Sequence, residues 1–252
     1  VKEGIAKLKE VHQIEIEKIK GIGIAYQMHG LVLTDENLNP VRSSIIWCDS
    51  RAASIGESIY NKIGAEACQE QILGSPGNFT ASKLKWVKDN QPEVYAKAKY
   101  MMLPGDFIAA KFSGVAQTST SGLSEAALWN FKENRLATEI LEAMDISEEI
   151  IPEIVSNFGK QAIIDKEIAA GLGLSKDVQI NYRAGDQPNN ALSLNVLNPG
   201  EIAATAGTSA VVYGVSNTDD YDANNRINTF LHVNNTPEEK RNGVMVCING
   251  SG

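Results

Sequence analysis

Arg183-Ala184-Gly185-Asp186-Gln187-Pro188-Asn189-Asn190-Ala191-Leu192 decides how this chain is read. The apolar run before it, Val178–Tyr182, reads as a strand, and Pro188–Val196 reads as a helix. Asp186 therefore stands at a strand-to-helix junction. Some twenty residues on, Ala204-Thr205-Ala206-Gly207-Thr208-Ser209 sets a small-residue turn between two further apolar runs, Ile202–Thr205 and Ala210–Val215. Each half alone has a plain structural reading. Asp at an N-cap with Pro just inside is a common helix start, and Gly-Thr-Ser between strands is a hairpin turn. Together, in this order, they suit a site where an acid–base residue meets a phosphate. A helix N-terminus stabilises anions, and small residues let backbone N–H groups approach one closely.

Outward from this stretch, strands and helices alternate. Ile5, Leu8 and Val11 form a helical stripe, and Ile19–Tyr26, β-branched and glycine-bearing, reads as a buried strand. Leu31–Thr34 and Ser44–Trp47 flank the turn Asp35–Pro40. Helices are expected over 54–73 and 82–98, over Asp106–Lys111 between Pro104 and Gly114, in two pieces over 123–145, and over Asp165–Ala170 ahead of Gly171 and Gly173. Ile151–Val155 reads as a connector, and Asn228–Val233 and Val244–Ile248 as two more strands. This alternation predicts an α/β fold with a mixed sheet flanked by helices. No internal repeat or clear domain linker interrupts it.

Several motifs lie at the ends of these strands. Gln27-Met28-His29-Gly30 follows the first one directly, where α/β sheets bind their ligands, although a lone histidine there also suits a structural role. Trp47-Cys48-Asp49-Ser50-Arg51 follows another. Asp49 and Arg51 could bind hydroxyls, or Asp49 or Ser50 could cap the next helix. Gly21-Ile-Gly23-Ile-Ala-Tyr26 starts like a dinucleotide fingerprint but has Tyr26 at the third glycine position and no helix after it. Asp35-Glu-Asn37-Leu-Asn39 starts like a calcium loop, but Pro40 stands where glycine is required. The chain has no Gly-x-x-x-x-Gly-Lys-Ser/Thr loop.

Bulk properties narrow the function classes. With 252 residues the chain can bury a substantial core. Its net charge of −8 and lack of a Lys/Arg cluster argue against nucleic acid; Lys83, Lys85 and Lys88 read as the solvated face of a helix. No apolar run reaches the ~18 residues a membrane span needs. Cys48, Cys68 and Cys247 are dispersed, without metal-ligand or disulfide spacing, and suit a reduced, cytoplasmic setting.

Taken in order, Gln27-Met28-His29-Gly30, Trp47-Cys-Asp49-Ser-Arg51, Asn78-Phe-Thr80-Ala-Ser-Lys83-Leu-Lys-Trp86, Met102-Leu-Pro-Gly-Asp106-Phe, Gly185-Asp186-Gln187 and Gly207-Thr208-Ser209 form a set that resembles the FGGY carbohydrate kinases. The resemblance runs from about Gly21 to Gly252. Gln-Met-His-Gly points, within the family, to the branch that phosphorylates D-xylulose.

The resemblance implies a ribonuclease-H-like, actin-like ATPase domain, with residues 1–252 forming most of the N-terminal, sugar-binding domain. The family's first phosphate hairpin and its C-terminal nucleotide domain would lie outside this stretch, so the stretch alone is expected to lack kinase activity. The implied reaction is ATP-dependent phosphorylation of a ketopentose, D-xylulose to D-xylulose 5-phosphate. Asp186 would be the general base, Met28, His29 and Gln187 sugar contacts, and Gly207, Thr208 and Ser209 a phosphate-binding turn, with Mg²⁺ bridging the phosphates. Gln27, Asp49 and Arg51 join the candidate sugar site from their strand-end positions; no protein metal ligand is expected. The D-xylulose branch often has Asn at this position, whereas Gln187 is what glycerol kinases carry. L-ribulose, gluconate or glycerol therefore remain as alternative acceptors, and a non-catalytic sugar-binding module as an alternative class. A homodimer is left open, because missing hairpin strands would leave a sheet edge unpaired.

Overall fold

A computed structural model describes residues 2–12, 14–206 and 209–249, with the backbone alone at Glu17, Ser209, Ile248 and Asn249. The element that organises the site is a pair of parallel strands. Gly21–Tyr26 runs beside Gln179–Gly185, in a register that sets Ala25 against Ala184 and Tyr26 against Gly185. Both chains therefore leave the sheet at the same edge, one into Gln27-Met28-His29 and the other into Asp186-Gln187. Phe158–Ile163 adds an antiparallel strand on the far side of Gln179–Gly185. A second, antiparallel sheet has the order Ile202–Ala206, Ser209–Ser216, Asn242–Asn249, Asn228–Leu231.

Between the two parallel strands the chain builds a helical layer with small two-stranded ribbons. Val32–Thr34 pairs with Tyr100–Met102, Gln117–Ser119 with Glu153–Val155, and Trp129–Asn130 with Arg135–Leu136. The largest apolar core lies here, joining Leu31, Leu33, Ile45, Leu84, Met101, Leu123, Leu128 and Ile140. A second core, with Ile24, Tyr26, Phe112, Leu172 and Ile180, packs helices Pro104–Ser113 and Lys166–Leu172 on the three-stranded sheet. The expected mixed α/β architecture is observed.

Local chemistry explains the helix ends. Pro104 opens its helix with its fixed φ, the Asp106 carboxylate accepts from the Leu103 N–H at 3.2 Å, and Gly114 at φ 74° closes it. Gly105 faces the Tyr26 ring so closely that a β-carbon there would overlap it. Asp165 accepts from the N–H groups of Glu167 and Ile168 and caps the next helix, which runs through Gly171 to Gly173.

Several sequence expectations need correction. The helix expected over 54–73 is two, Ala53–Ile63 and Ala65–Ile72, divided at Gly64 with φ 98°. The helix over 82–98 is Thr80–Asn90 and Pro92–Tyr95, because Pro92 cannot continue the first. Within 123–145 only Thr120–Glu125 and Thr138–Ala143 are helical, with a hairpin between them. The connector at 151–155 contains the strand Glu153–Val155. Strand Gly21–Tyr26 is not buried throughout: Gly21, Gly23 and Ala25, which share one face of the strand, are exposed. An open apolar groove of ≈ 430 Å³ runs along the body of this strand and includes neither Met28 nor Asp186.

Candidate functional site

The site forms where the two parallel strands end. Asp186 Oδ1 accepts from the Met28 N–H at 3.4 Å, and Asp186 Oδ2 accepts from Gln187 Nε2 at 3.0 Å. The capping interpretation of Asp186 fails: the helix is Asp186–Ser193, its N-cap is Gly185, and no side chain caps it. A carboxylate released from capping, half-buried at a helix N-terminus and held by two donors, is placed to accept a proton or a hydroxyl. Gly185 is needed beneath it, since a β-carbon there would overlap Met28 and Glu125.

His29 occupies a left-handed backbone position, φ 61°, which is uncommon for a side chain of its size. Its Nδ1 lies 2.8 Å from the Glu125 carbonyl, and its ring packs against those of Phe79 and Phe230, with centroids at 4.4 and 5.4 Å. Burial lowers the His29 pKa to about 4, with Lys83 adding to the same direction. The ring is neutral near pH 7. Because a carbonyl only accepts, the Nδ1 must carry the hydrogen, which leaves Nε2 as an acceptor.

Lys83 corrects the solvated-face interpretation. Its side chain is fully buried, and Nζ donates to the His29 carbonyl at 2.8 Å and the Trp47 carbonyl at 3.4 Å. One lysine thus ties the strand end at His29 to the Trp47 loop; the strand expected over Ser44–Trp47 is not formed, and Ile45 makes only a single bridge to Leu31. Desolvation lowers its pKa to about 8, with Asp49 opposing the shift. Lys85 and Lys88 stay at the surface, paired with Asp89 and Asp145. Helical periodicity could not separate the three, because it does not show which side of the helix faces a second loop.

Asp49 and Arg51 engage each other. Arg51 Nε donates to Oδ1 at 2.9 Å and its terminal nitrogen to Oδ2 at 2.7 Å, while the guanidinium lies 4.7 Å from the Trp86 ring centre. Asn78 Nδ2 donates to the Asp49 carbonyl at 2.8 Å. Arg51 holds the Asp49 carboxyl below its ordinary range. Neither Asp49 nor Ser50 caps the following helix, whose N-cap is Ala52. Contacts join Met28, Asp186 and Gln187 directly; Gln27 and His29 flank Met28 in the chain, and Lys83 ties the His29 backbone to the loop that carries Asp49 and Arg51. Gly207 and Thr208 lie outside the described residues, and only the backbone of Ser209 is described, at the start of strand Ser209–Ser216.

Sequence reading assigned no role to three buried polar groups behind the site. Arg183 and Asp106 form an ion pair at 3.1 Å with side chains 1% and 0% exposed. Glu125, at the end of helix Thr120–Glu125, is 2% exposed, and no cation among the described residues acts on it. The only available signal was a charge inside an apolar stretch, which names no partner.

Two buried histidines give a pH prediction. Burial lowers both His29 and His232 to about 4. A depressed folded pKa contributes stability that is lost as pH falls from about 6.5 toward 4. Raised carboxyls, Glu125 and Asp106, act with the opposite sign, so whole-protein curves mix the two. The expected result is therefore a difference. Between pH 7 and 4 the parent should lose about 3 kcal/mol relative to His232→Gln, measured by urea midpoints. Parallel curves would refute a neutral buried His232.

The family pattern described as the FGGY family of carbohydrate kinases, N-terminal domain, matches residues 1–193. The chain is 28% identical over 226 residues to a xylulose kinase of Staphylococcus xylosus, covering 88% of this chain and 46% of that protein. It is similar in structure to a xyloylose kinase from Brucella ovis, with TM-score 0.88 and 24% identity over 98% of this chain and 50% of that one. It is also similar to Plasmodium falciparum glycerol kinase with ADP, with TM-score 0.87 and 19% identity over 99% and 50%. The chain spans about half the length of these relatives. These likenesses bear out the ribonuclease-H-like, actin-like fold class, and with the motif-bearing strand ends in place this chain belongs to the FGGY family of carbohydrate kinases.

Proposed function

We propose that residues 1–252 make up most of the sugar-side domain of an ATP-dependent carbohydrate kinase, with D-xylulose the leading acceptor and Asp186 the general base. The observation that carries this is the position of Asp186. It is released from capping and meets Met28 and Gln187 at the common edge of two parallel strands. In the proposed step the Asp186 carboxylate takes the proton of a sugar hydroxyl, whose oxygen attacks the γ-phosphorus of ATP while the bond to ADP breaks. Met28, His29 and Gln187 orient the sugar. Gln27, Asp49 and Arg51 complete the rim, and Gly207, Thr208 and Ser209 receive phosphate.

Among the described residues no three His, Cys, Asp or Glu side chains gather to hold a metal. A Mg²⁺ carried on the nucleotide phosphates needs only one or two carboxylates. None is assigned to this stretch: the ion would ride on the nucleotide phosphates and offset their charge, leaving the Asp186 carboxylate free as the base. Among the described residues no helix is long and apolar enough to cross a membrane. The proposed cytoplasmic setting rests on the dispersed cysteines.

The test is an ADP-coupled assay of the full-length parent against D-xylulose, L-ribulose, gluconate and glycerol. Selective turnover of D-xylulose is the expected result, with none from the 252-residue chain alone. Turnover of another member would move the acceptor assignment to the Met28, His29 and Gln187 contacts and keep the reaction. Silence with all four would favour a sugar-binding module.

A further inference from the structure

Glu125 reaches both halves of the site. Its carbonyl accepts from His29 Nδ1 at 2.8 Å. Its carboxyl lies against Gly185, so close that a β-carbon on Gly185 would overlap Oε2, and beside the Tyr26 hydroxyl. Oε1 has no hydrogen-bond partner among the described residues. A fully desolvated carboxyl in such a place needs a reason, because a buried acid with an unmade hydrogen bond costs stability.

The neighbouring cations are already engaged. Arg183 donates to Asp106 and to the Gln117 carbonyl, and Lys83 donates to the carbonyls of His29 and Trp47. The groups facing Glu125 are Tyr26 from the edge strand, Asp106 from helix Pro104–Ser113, Tyr213 from strand Ser209–Ser216, and Asp186.

We propose that Glu125 is a positioning residue of the sugar pocket: its carboxyl seats Gly185 beneath Asp186 and anchors the helix end whose carbonyl fixes His29 as the Nδ1–H tautomer, leaving Nε2 to accept a sugar hydroxyl. This rests on the sugar-kinase reading for the identity of the ligand, and on geometry alone for the tautomer. Burial first, then the negative charges of Asp106 and Asp186, keeps the Glu125 proton in place, with Tyr26 opposing. A protonated carboxyl can lie next to Asp186 without repelling it. An ionised one would put two negative charges behind the same glycine. The expected consequence is sugar affinity that weakens as pH rises and Glu125 loses its proton.

The experiment compares Glu125→Ala and Glu125→Gln in two measurements. The first is ¹⁵N NMR of histidine-labelled 252-residue chain without sugar, with His29→Gln assigning the resonance among the three histidines. The parent and Glu125→Gln should show the Nδ1–H form, and Glu125→Ala an averaged one. The second is the full-length parent's KM for D-xylulose across pH. Glu125→Ala should raise KM about tenfold, the worth of one hydrogen bond, with a smaller change in kcat. Glu125→Gln should restore the low KM and remove its rise with pH. An Nε2–H tautomer in the parent, or parental NMR and KM in Glu125→Ala, would overturn the proposal. Because the NMR measurement contains no sugar, failure of the kinase reading would show in the second measurement alone.

Discussion

Asp186→Asn in the full-length parent is expected to lower kcat by about 10²–10⁴-fold, the range a general base contributes, while KM for the sugar changes by no more than about threefold. The substitution is chosen for its geometry. Asp186 has two donors, the Met28 N–H on Oδ1 and Gln187 Nε2 on Oδ2. An asparagine can keep its oxygen on Met28 and turn its amide nitrogen toward Gln187, whose own amide can rotate to present oxygen. The shape of the site survives and only the proton acceptor is lost. Asp186→Ala would also strand the Met28 N–H, so it tests the base less cleanly. Asp186→Asn with kcat within threefold of the parent would remove Asp186 from the chemistry. A large rise in KM with unchanged kcat would make it a binding residue instead.

The strand ends were legible in the sequence because they depend on local chemistry. Gly185-Asp186-Gln187 after an apolar run and Gln27-Met28-His29-Gly30 after another define two junctions, and the parallel register aligns them. Helix Pro104–Ser113 was legible for the same reason, from its proline start and glycine stop. What could not be read depends on partners far apart in the chain. Lys83 has the spacing of a surface lysine, and only the loops at His29 and Trp47 bury it. Glu125 occupies an otherwise unremarked helix, and its place beside Gly185 is 60 residues distant in sequence. The strand Phe158–Ile163 escaped notice because its burial is slight, so its alternation carries little apolar signal. Capping was the sensible interpretation of Asp186, and it failed because Gly185 takes the N-cap position and leaves the carboxylate to Met28 and Gln187.

Arg183→Met should destabilise the chain by about 3–5 kcal/mol, the cost of stranding one partner of a buried ion pair. That is a large part of the ~5–15 kcal/mol by which a domain is stable. Arg183 Nε donates to Gln161 Oε1 at 2.9 Å, and one terminal nitrogen donates to Asp106 Oδ1 at 3.1 Å and to the Gln117 carbonyl at 2.9 Å. One side chain thus joins the strand leading to Asp186 with the helix after Pro104 and with two further strands. Methionine fills similar volume and returns none of these bonds. Asp106 is then left buried without its cation, and burial already pushes its carboxyl upward with Arg183 in place. Without Arg183 the upward shift grows. A raised folded pKa gives stability that is present below the unfolded value, near 4, and lost as pH rises. The deficit of Arg183→Met should therefore be smaller at pH 5 than at pH 8. Urea midpoints at the two pH values measure it. The double variant Arg183→Met with Asp106→Leu removes both charges and should recover most of the loss, because replacing a whole buried pair with apolar groups is often neutral. A single variant within 1 kcal/mol of the parent, or a deficit equal at both pH values, would show that the pair does not brace the strand. A double variant no better than the single one would move the cost from the stranded carboxylate to the lost bonds at Gln117 and Gln161.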